Sequence, residues 1–288
     1  MLQLQTSSDG GGRVKKKRRR CRRLILLAVI IAAAYFLYDS ANNIEITHYE
    51  VESQRLSSEF NGYKILQISD YHGADFSASL ANMVRGESPD IIAITGDSIT
   101  EAEDLPNVEA LLKKLQGIAP VYFVSGNHDF GSGEIEGLSR LLEEYGVRYL
   151  KNEYLPLEKN GERIILAGVE DPNSWAGMPT PDEVMARLRT DYPEDYAVLL
   201  GHRNYWATEY PELPADLILC GHAHGGLIIL PGVGGLISTD RTFFPDYDGG
   251  MYDCDNYVLI VSRGLGNSVS VPRLFNRPEL VSITLKAQ

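Results

Sequence analysis

Apolar runs of strand length recur along the chain, and five of them close on the same small set of residues. YKILQIS (63–69) runs into Asp70-Tyr71-His72, DIIAIT (90–95) into Gly96-Asp97, and PVYFVS (120–125) into Gly126-Asn127-His128-Asp129. YAVLL (196–200) runs into Gly201-His202, and ADLILC (215–220) into Gly221-His222-Ala223-His224. Two further runs, RIILAGV (163–169) and YVLIV (257–261), have strand length without that ending. Ligand crevices of open α/β sheets lie beyond the carboxyl ends of the strands, so a fold that aligns these strands brings the five clusters together.

Helical patterns separate the early runs. Val108, Leu111, Leu112 and Leu115 recur at i, i+3, i+4 and i+7 between Pro106 and Gly117, and Ile135, Leu138, Leu142 and Tyr145 recur at i, i+3, i+7 and i+10 before Gly146. Thr180-Pro181-Asp182-Glu183 reads as an N-cap, an N1 proline and a capping-box glutamate. Strands alternating with helices predict an α/β domain. The second half is richer in strands, and its GVGG and DGG turns suggest hairpins, so a purely doubly wound parallel sheet fits it less well. The chain lacks a phosphate-binding G-x-x-x-x-G-K-[ST], and GLGNS at 264–268 lacks the strand-turn-helix setting of a dinucleotide site.

His222-Ala223-His224 alone fits a polar turn as well as a pair of ligands. Five of the six histidines, however, sit in the strand-end clusters, and only His48 does not. Carboxylate oxygens, imidazole nitrogens and an amide oxygen, with no thiolate, suit borderline divalent metals such as Mn, Fe or Zn. Seven such side chains are too many for one ion and suit two. Two ions about 3.5–4 Å apart hold the attacking and leaving oxygens of an in-line displacement.

In their order, D-Y-H, G-D, G-N-H-D, G-H and G-H-A-H resemble the signature of calcineurin-like metallophosphoesterases, from about residue 60 to the C-terminus. ILQISDYHG and SRGLGNSVSVPRLFNRPEL are similar to bacterial members of that superfamily with an N-terminal membrane segment. The resemblance implies an α/β/β/α fold, a two-sheet β-sandwich flanked by helices. It implies one ion on Asp70, His72 and His224, a second on Asn127, His202 and His222, and Asp97 bridging both. It also implies that His128 faces the substrate and serves the phosphoryl or leaving oxygen, oriented by Asp129. Two positions depart from the common pattern: Thr100 stands at the last place of G-D-x-x-D, and His202 is followed by Arg203-Asn204 rather than Asn-Pro.

The charge is unevenly spread. RVKKKRRRCRR (13–23) carries nine of the 27 Lys and Arg residues, whereas the rest from residue 24 holds 18 basic and 38 acidic side chains. So acidic a body repels a phosphate backbone, and no nucleic acid is expected as a partner. The basic run leads into LILLAVIIAAAYFLY (24–38), whose fifteen residues are fewer than the roughly 20 of a full span. An uncleaved signal-anchor has its N-terminus in the cytoplasm and its catalytic domain outside the cell membrane. A signal peptide cleaved near Ala32-Ala33-Ala34 would instead give a secreted protein.

The expected organisation is a basic tail (1–23), disordered over 1–12, a single-pass anchor (24–38), a linker and first strand (39–59), and a metallophosphoesterase domain (60–288). The three cysteines give no disulfide framework. Cys220 is expected as a buried thiol, with a Cys220–Cys254 bridge as the alternative. Arg203, Arg263, Arg273 and Arg277 are candidate contacts for a substrate phosphate, each competing with a surface ion pair.

The function expected is two-metal hydrolysis of a phosphomonoester or phosphodiester outside the cytoplasmic membrane, on a lipid or cell-envelope phosphate, by a monomer. The alternative is a surface binding protein that keeps the fold and the metals without catalysis.

Overall fold

The computed structural model describes residues 10–288 other than Ala176 and Asp240. The disorder expected for residues 1–12 falls outside the described residues up to residue 9. From Gly10 the chain is helical: α1 (Gly10–Asn42) spans the basic run, the apolar segment and the stretch DSAN expected as a linker. The linker is thereby corrected, because Asp39 and Ser40 are buried against the domain and keep the helix going to Asn42.

Six strands form the first sheet: β1 (Glu45–Ser53), β2 (Lys64–Ile68), β3 (Ile91–Thr95), β4 (Val121–Val124), β5 (Arg148–Tyr149) and, last in the chain, β14 (Glu279–Ala287). Their spatial order is β1-β14-β2-β3-β4-β5, and β2, β3 and β4 are mutually parallel. Strand β1, the first strand expected within 39–59, pairs along its whole length with β14.

The second sheet contains β6 (Glu153–Lys159), β7 (Glu162–Gly168), β8 (Ala197–Leu200), β9 (Leu217–Cys220), β12 (Gly250–Asp253) and β13 (Val258–Val261), in the order β12-β13-β9-β8-β7-β6. Strands β7, β8, β9 and β13 run parallel, with an antiparallel strand at each edge. A small hairpin, β10 (Ile229–Leu230) with β11 (Gly234–Gly235), turns on the GVGG sequence.

Both sheets are covered on both faces, which is why their central strands are continuous apolar runs rather than alternating ones. Neighbouring side chains on a strand point to opposite faces, and the cores follow that period. Ile65, Val124, Leu166, Val198 and Leu219 pack between the sheets. One residue along, Leu66, Ile92 and Phe123 pack outward against α2 (Ser77–Glu87), α3 (Leu105–Leu115) and α5 (Ile135–Glu144). Ile165, Leu199 and Ile218 pack outward against Val184, Met185 and Leu188 of α6 (Pro181–Asp191) and against Trp206 of α7 (Trp206–Glu209). The capping box expected at Thr180 and Glu183 is formed. The layers are therefore helix, sheet, sheet, helix. Among the described residues, α1 is the one helix long and apolar enough to cross a membrane, and its large apolar side chains are exposed.

Candidate metal centre

The exits of β2, β3 and β4 in one sheet and of β8 and β9 in the other meet at one edge of the sandwich. Three contacts join them directly. Gln67 Nε2 donates to the Cys220 carbonyl (2.8 Å), the His222 N–H to the Asp70 carboxylate (3.1 Å), and His202 Nδ1 lies 2.9 Å from the Thr95 carbonyl. Two glycines permit this closeness. A Cβ on Gly221 would strike Asp70 Oδ2, and one on Gly126 would strike Asp97 Oδ1.

Two groups of three side chains converge there: Asp70, His72 and His224 in one, Asp97, His202 and His222 in the other. In the first, His224 Nε2 lies 3.2 Å from Asp70 Oδ1 and 3.3 Å from His72 Nε2. In the second, His202 Nε2 lies 3.1 Å from Asp97 Oδ2, and the same oxygen is 3.8 Å from His72 Nε2 of the first group. Asp97 therefore touches both groups. All but His222 are buried.

The backbone is unusual at the same positions. Asp70, His72, Asp97, His222 and His224 have φ between 46° and 70°, a left-handed region costly for residues with a side chain. Such conformations persist where surrounding structure holds them, and they gather at functional sites.

Asn127 opens α4 (Asn127–Gly131) directly after β4. Its Oδ1 is buried without a hydrogen-bond partner, and His202 Nε2 is also without one, despite its closeness to Asp97. Orphaned buried acceptors are costly unless something else occupies them. The oxygen and imidazole donors that converge in the two groups of three fit a pair of divalent cations, and the unsatisfied Asn127 Oδ1 is a further donor available to one.

Electrostatics agree for most of the set. Burial, with His224 adding, pushes His72 down to about 3, and burial, with His202 and Arg203, pushes His222 to about 3. Both rings are neutral, as ligands must be. Burial pushes the Asp70 and Asp97 carboxyls up, but the imidazoles around them outweigh it and hold both below the usual range. His202 differs: burial opposes its charge, yet Asp97 outweighs it and raises the ring to about 10. A cation beside Asp97 would displace that proton.

Hydrogen bonds from outside the two groups fix the rings. His72 Nδ1 lies 2.8 Å from Thr100 Oγ1, so the residue that departs from G-D-x-x-D orients a candidate ligand. Arg203 Nη1 lies 3.0 Å from His222 Nε2, and Arg273 Nη2 lies 3.1 Å from His224 Nδ1. Arg203 is itself held by Asp171 through Nε and Nη2 at 2.5 and 3.0 Å. Asp171 had no signal in the sequence, since it follows a strand without a histidine.

His128 is half-buried, its ring centroid 5.0 Å from that of His72 and nearly perpendicular to it. The role expected for Asp129 is corrected. Its oxygens accept the N–H groups of Asp97, Ser98, Ile99 and Gly126, so it holds the loops rather than the His128 ring. Two of the candidate arginines take the competing ion pair: Arg263 pairs with Glu279 and Glu45, and Arg277 with Asp39 through two hydrogen bonds. All three cysteines are free thiols, with Cys220 buried.

A family profile described as calcineurin-like phosphoesterase matches residues 63–226. The chain is 29% identical over 262 residues to the uncharacterized metallophosphoesterase YkuE of Bacillus subtilis, covering 88% of this chain and 89% of that one. It is 26% identical over 270 residues to a zebrafish (Danio rerio) transmembrane protein with metallophosphoesterase domain, covering 88% of this chain and 60% of that protein. Among solved structures it is similar to TT1561 of Thermus thermophilus, with a TM-score of 0.46 and 14% identity over 69% of this chain and 88% of that one.

Proposed function

The chain belongs to the calcineurin-like phosphoesterase family, and from that premise we propose that it is a two-metal hydrolase of a phosphomonoester or phosphodiester. The observation that carries this is the Asp97 carboxylate, which lies within 3.8 Å of ring nitrogens from both side-chain groups. Asp70, His72 and His224 would hold one divalent ion and Asn127, His202 and His222 the other, with Asp97 shared. Two such ions supply Lewis acidity at the phosphoryl oxygens and a bound water that ionises near neutral pH.

The protein's own groups do the rest. Asp129 ties the exit of β3 to the start of α4 and so sets the spacing of Asp97 and Asn127. Thr100, Arg203 and Arg273 pack against three of the rings and limit where they can turn. His128, half-buried next to His72, is placed to give a proton or hydrogen bond to the leaving oxygen.

The domain works outside the cytoplasmic membrane in this reading, with α1 as an uncleaved anchor. The basic run at one end of the apolar stretch and the exposure of that stretch support it. The test is cleavage of bis(p-nitrophenyl) phosphate and p-nitrophenyl phosphate with Mn²⁺ added to the purified chain. Metal-dependent turnover that Asp97→Asn abolishes supports the proposal; equal rates in both proteins overturn it.

A further inference from the structure

The metal centre shares a cavity with the end of the apolar helix. The cavity, about 550 Å³, has His72 and Arg273 in its wall, and also Leu37, Ala41 and Asn42 from the last turns of α1. That volume is in the range of pockets that enclose small molecules. Arg273 is buried, and its Nη2 binds the carbonyls of Arg263 and Gly266 and the His224 ring, while its Nη1 is a buried donor without a partner. A cationic donor left unsatisfied beside a phosphate-ester site is suited to an anionic oxygen.

The helix end is fixed against this cavity. Only Asn43 and Ile44 separate α1 from β1, so the domain cannot stand off from the helix. Asp39 of α1 accepts two hydrogen bonds from Arg277 at 2.7 and 2.9 Å, and the rings of Phe36 and Phe275 lie 4.8 Å apart. Val271 and Phe275, on the loop that supplies Arg273, remain exposed beside the helix. With α1 in a bilayer, the cavity opens at the level where lipid head groups lie, rimmed by apolar side chains.

We propose that the substrate is a membrane-resident phosphate ester, whose head reaches the metal centre through this cavity while its hydrocarbon part stays beside α1. This rests on the phosphoesterase reading above. Water is the only co-reactant: its oxygen bonds to phosphorus, the bond from phosphorus to the leaving oxygen breaks, and that oxygen takes a proton.

The experiment uses the full chain with Mn²⁺ in dodecyl maltoside micelles, a host without phosphorus. Phosphatidic acid and phosphatidylglycerol are compared with their tail-less heads, glycerol 3-phosphate and glycerophosphoglycerol. At least one lipid is expected to be cleaved about tenfold or more faster than its head, because remote binding energy raises the rate of the chemical step. Ala41→Trp, which narrows the cavity at the helix end, is expected to lower the lipid rate more than the rate on bis(p-nitrophenyl) phosphate.

A second readout needs neither metal nor turnover. Maleimide modification at Ala41→Cys, followed by peptide mass spectrometry on the metal-free protein, should slow when phosphatidic acid is added to the micelles. Its small side chain keeps this arm readable should Ala41→Trp misfold. Cleavage of the aryl ester with heads and lipids cleaved alike, or with neither lipid cleaved, overturns the membrane substrate and leaves the phosphoesterase standing. So does labelling at position 41 that phosphatidic acid leaves unchanged. Failure on every ester, the aryl esters included, overturns both.

Discussion

Asp129 Oδ2 accepts the backbone N–H of Asp97 at 2.9 Å, which couples the exit of β3 to the start of α4. The same oxygen takes the Gly126 N–H at 2.8 Å, and Oδ1 takes those of Ser98 and Ile99. One buried side chain thus sets two neighbouring candidate ligands, Asp97 and Asn127. Removing it leaves four N–H groups without an acceptor. Asp129→Ala should cost about 3 kcal/mol or more of stability. Thermal unfolding of the metal-free protein checks this, and Mn²⁺ affinity should fall with it.

His128 should behave in the opposite way. It belongs to neither ligand group and holds no loop by its ring, so His128→Ala should leave the unfolding temperature and the metal content close to those of the natural chain. Its kcat should fall by about 10²–10⁴-fold, the usual size of a lost proton donor. Steady-state kinetics on an aryl phosphate ester, beside metal analysis of the same sample, separates the two effects.

Asn127→Ala separates ligation from folding more sharply. The Oδ1 atom it deletes is buried and has no partner in the protein, so its loss removes a penalty rather than a bond. The metal-free variant should be as stable as the natural chain to within about 1 kcal/mol, while one of the two ions binds more weakly. Unfolding curves with and without Mn²⁺ read this as a smaller stabilisation by the metal.

Much of this arrangement is legible in the sequence because it rests on local chemistry. Strands buried on both faces must be continuously apolar, so β2, β3, β4, β8 and β9 stand out, and the polar residues that close them mark one edge of a sheet. Strand β6 (EYLPLEK) does not stand out, because it has partly exposed polar positions along its length. The helical run through DSAN was hidden for a related reason: what buries Asp39 is Arg277, 238 residues away. The role of Asp129, and the choice between phosphate contact and ion pair at Arg263, are set by partners distant in sequence. Asp129 answers to backbone N–H groups and Arg263 to Glu279, neither of which a spacing rule exposes.

The count of bound ions is the most direct measure of the central claim, that Asp97 joins two separate ligand sets. Purified chain should bind two Mn²⁺ by elemental analysis and titration calorimetry, and His224→Ala and His222→Ala should each retain one, at different sites. A natural chain that binds a single ion, or none, contradicts the account.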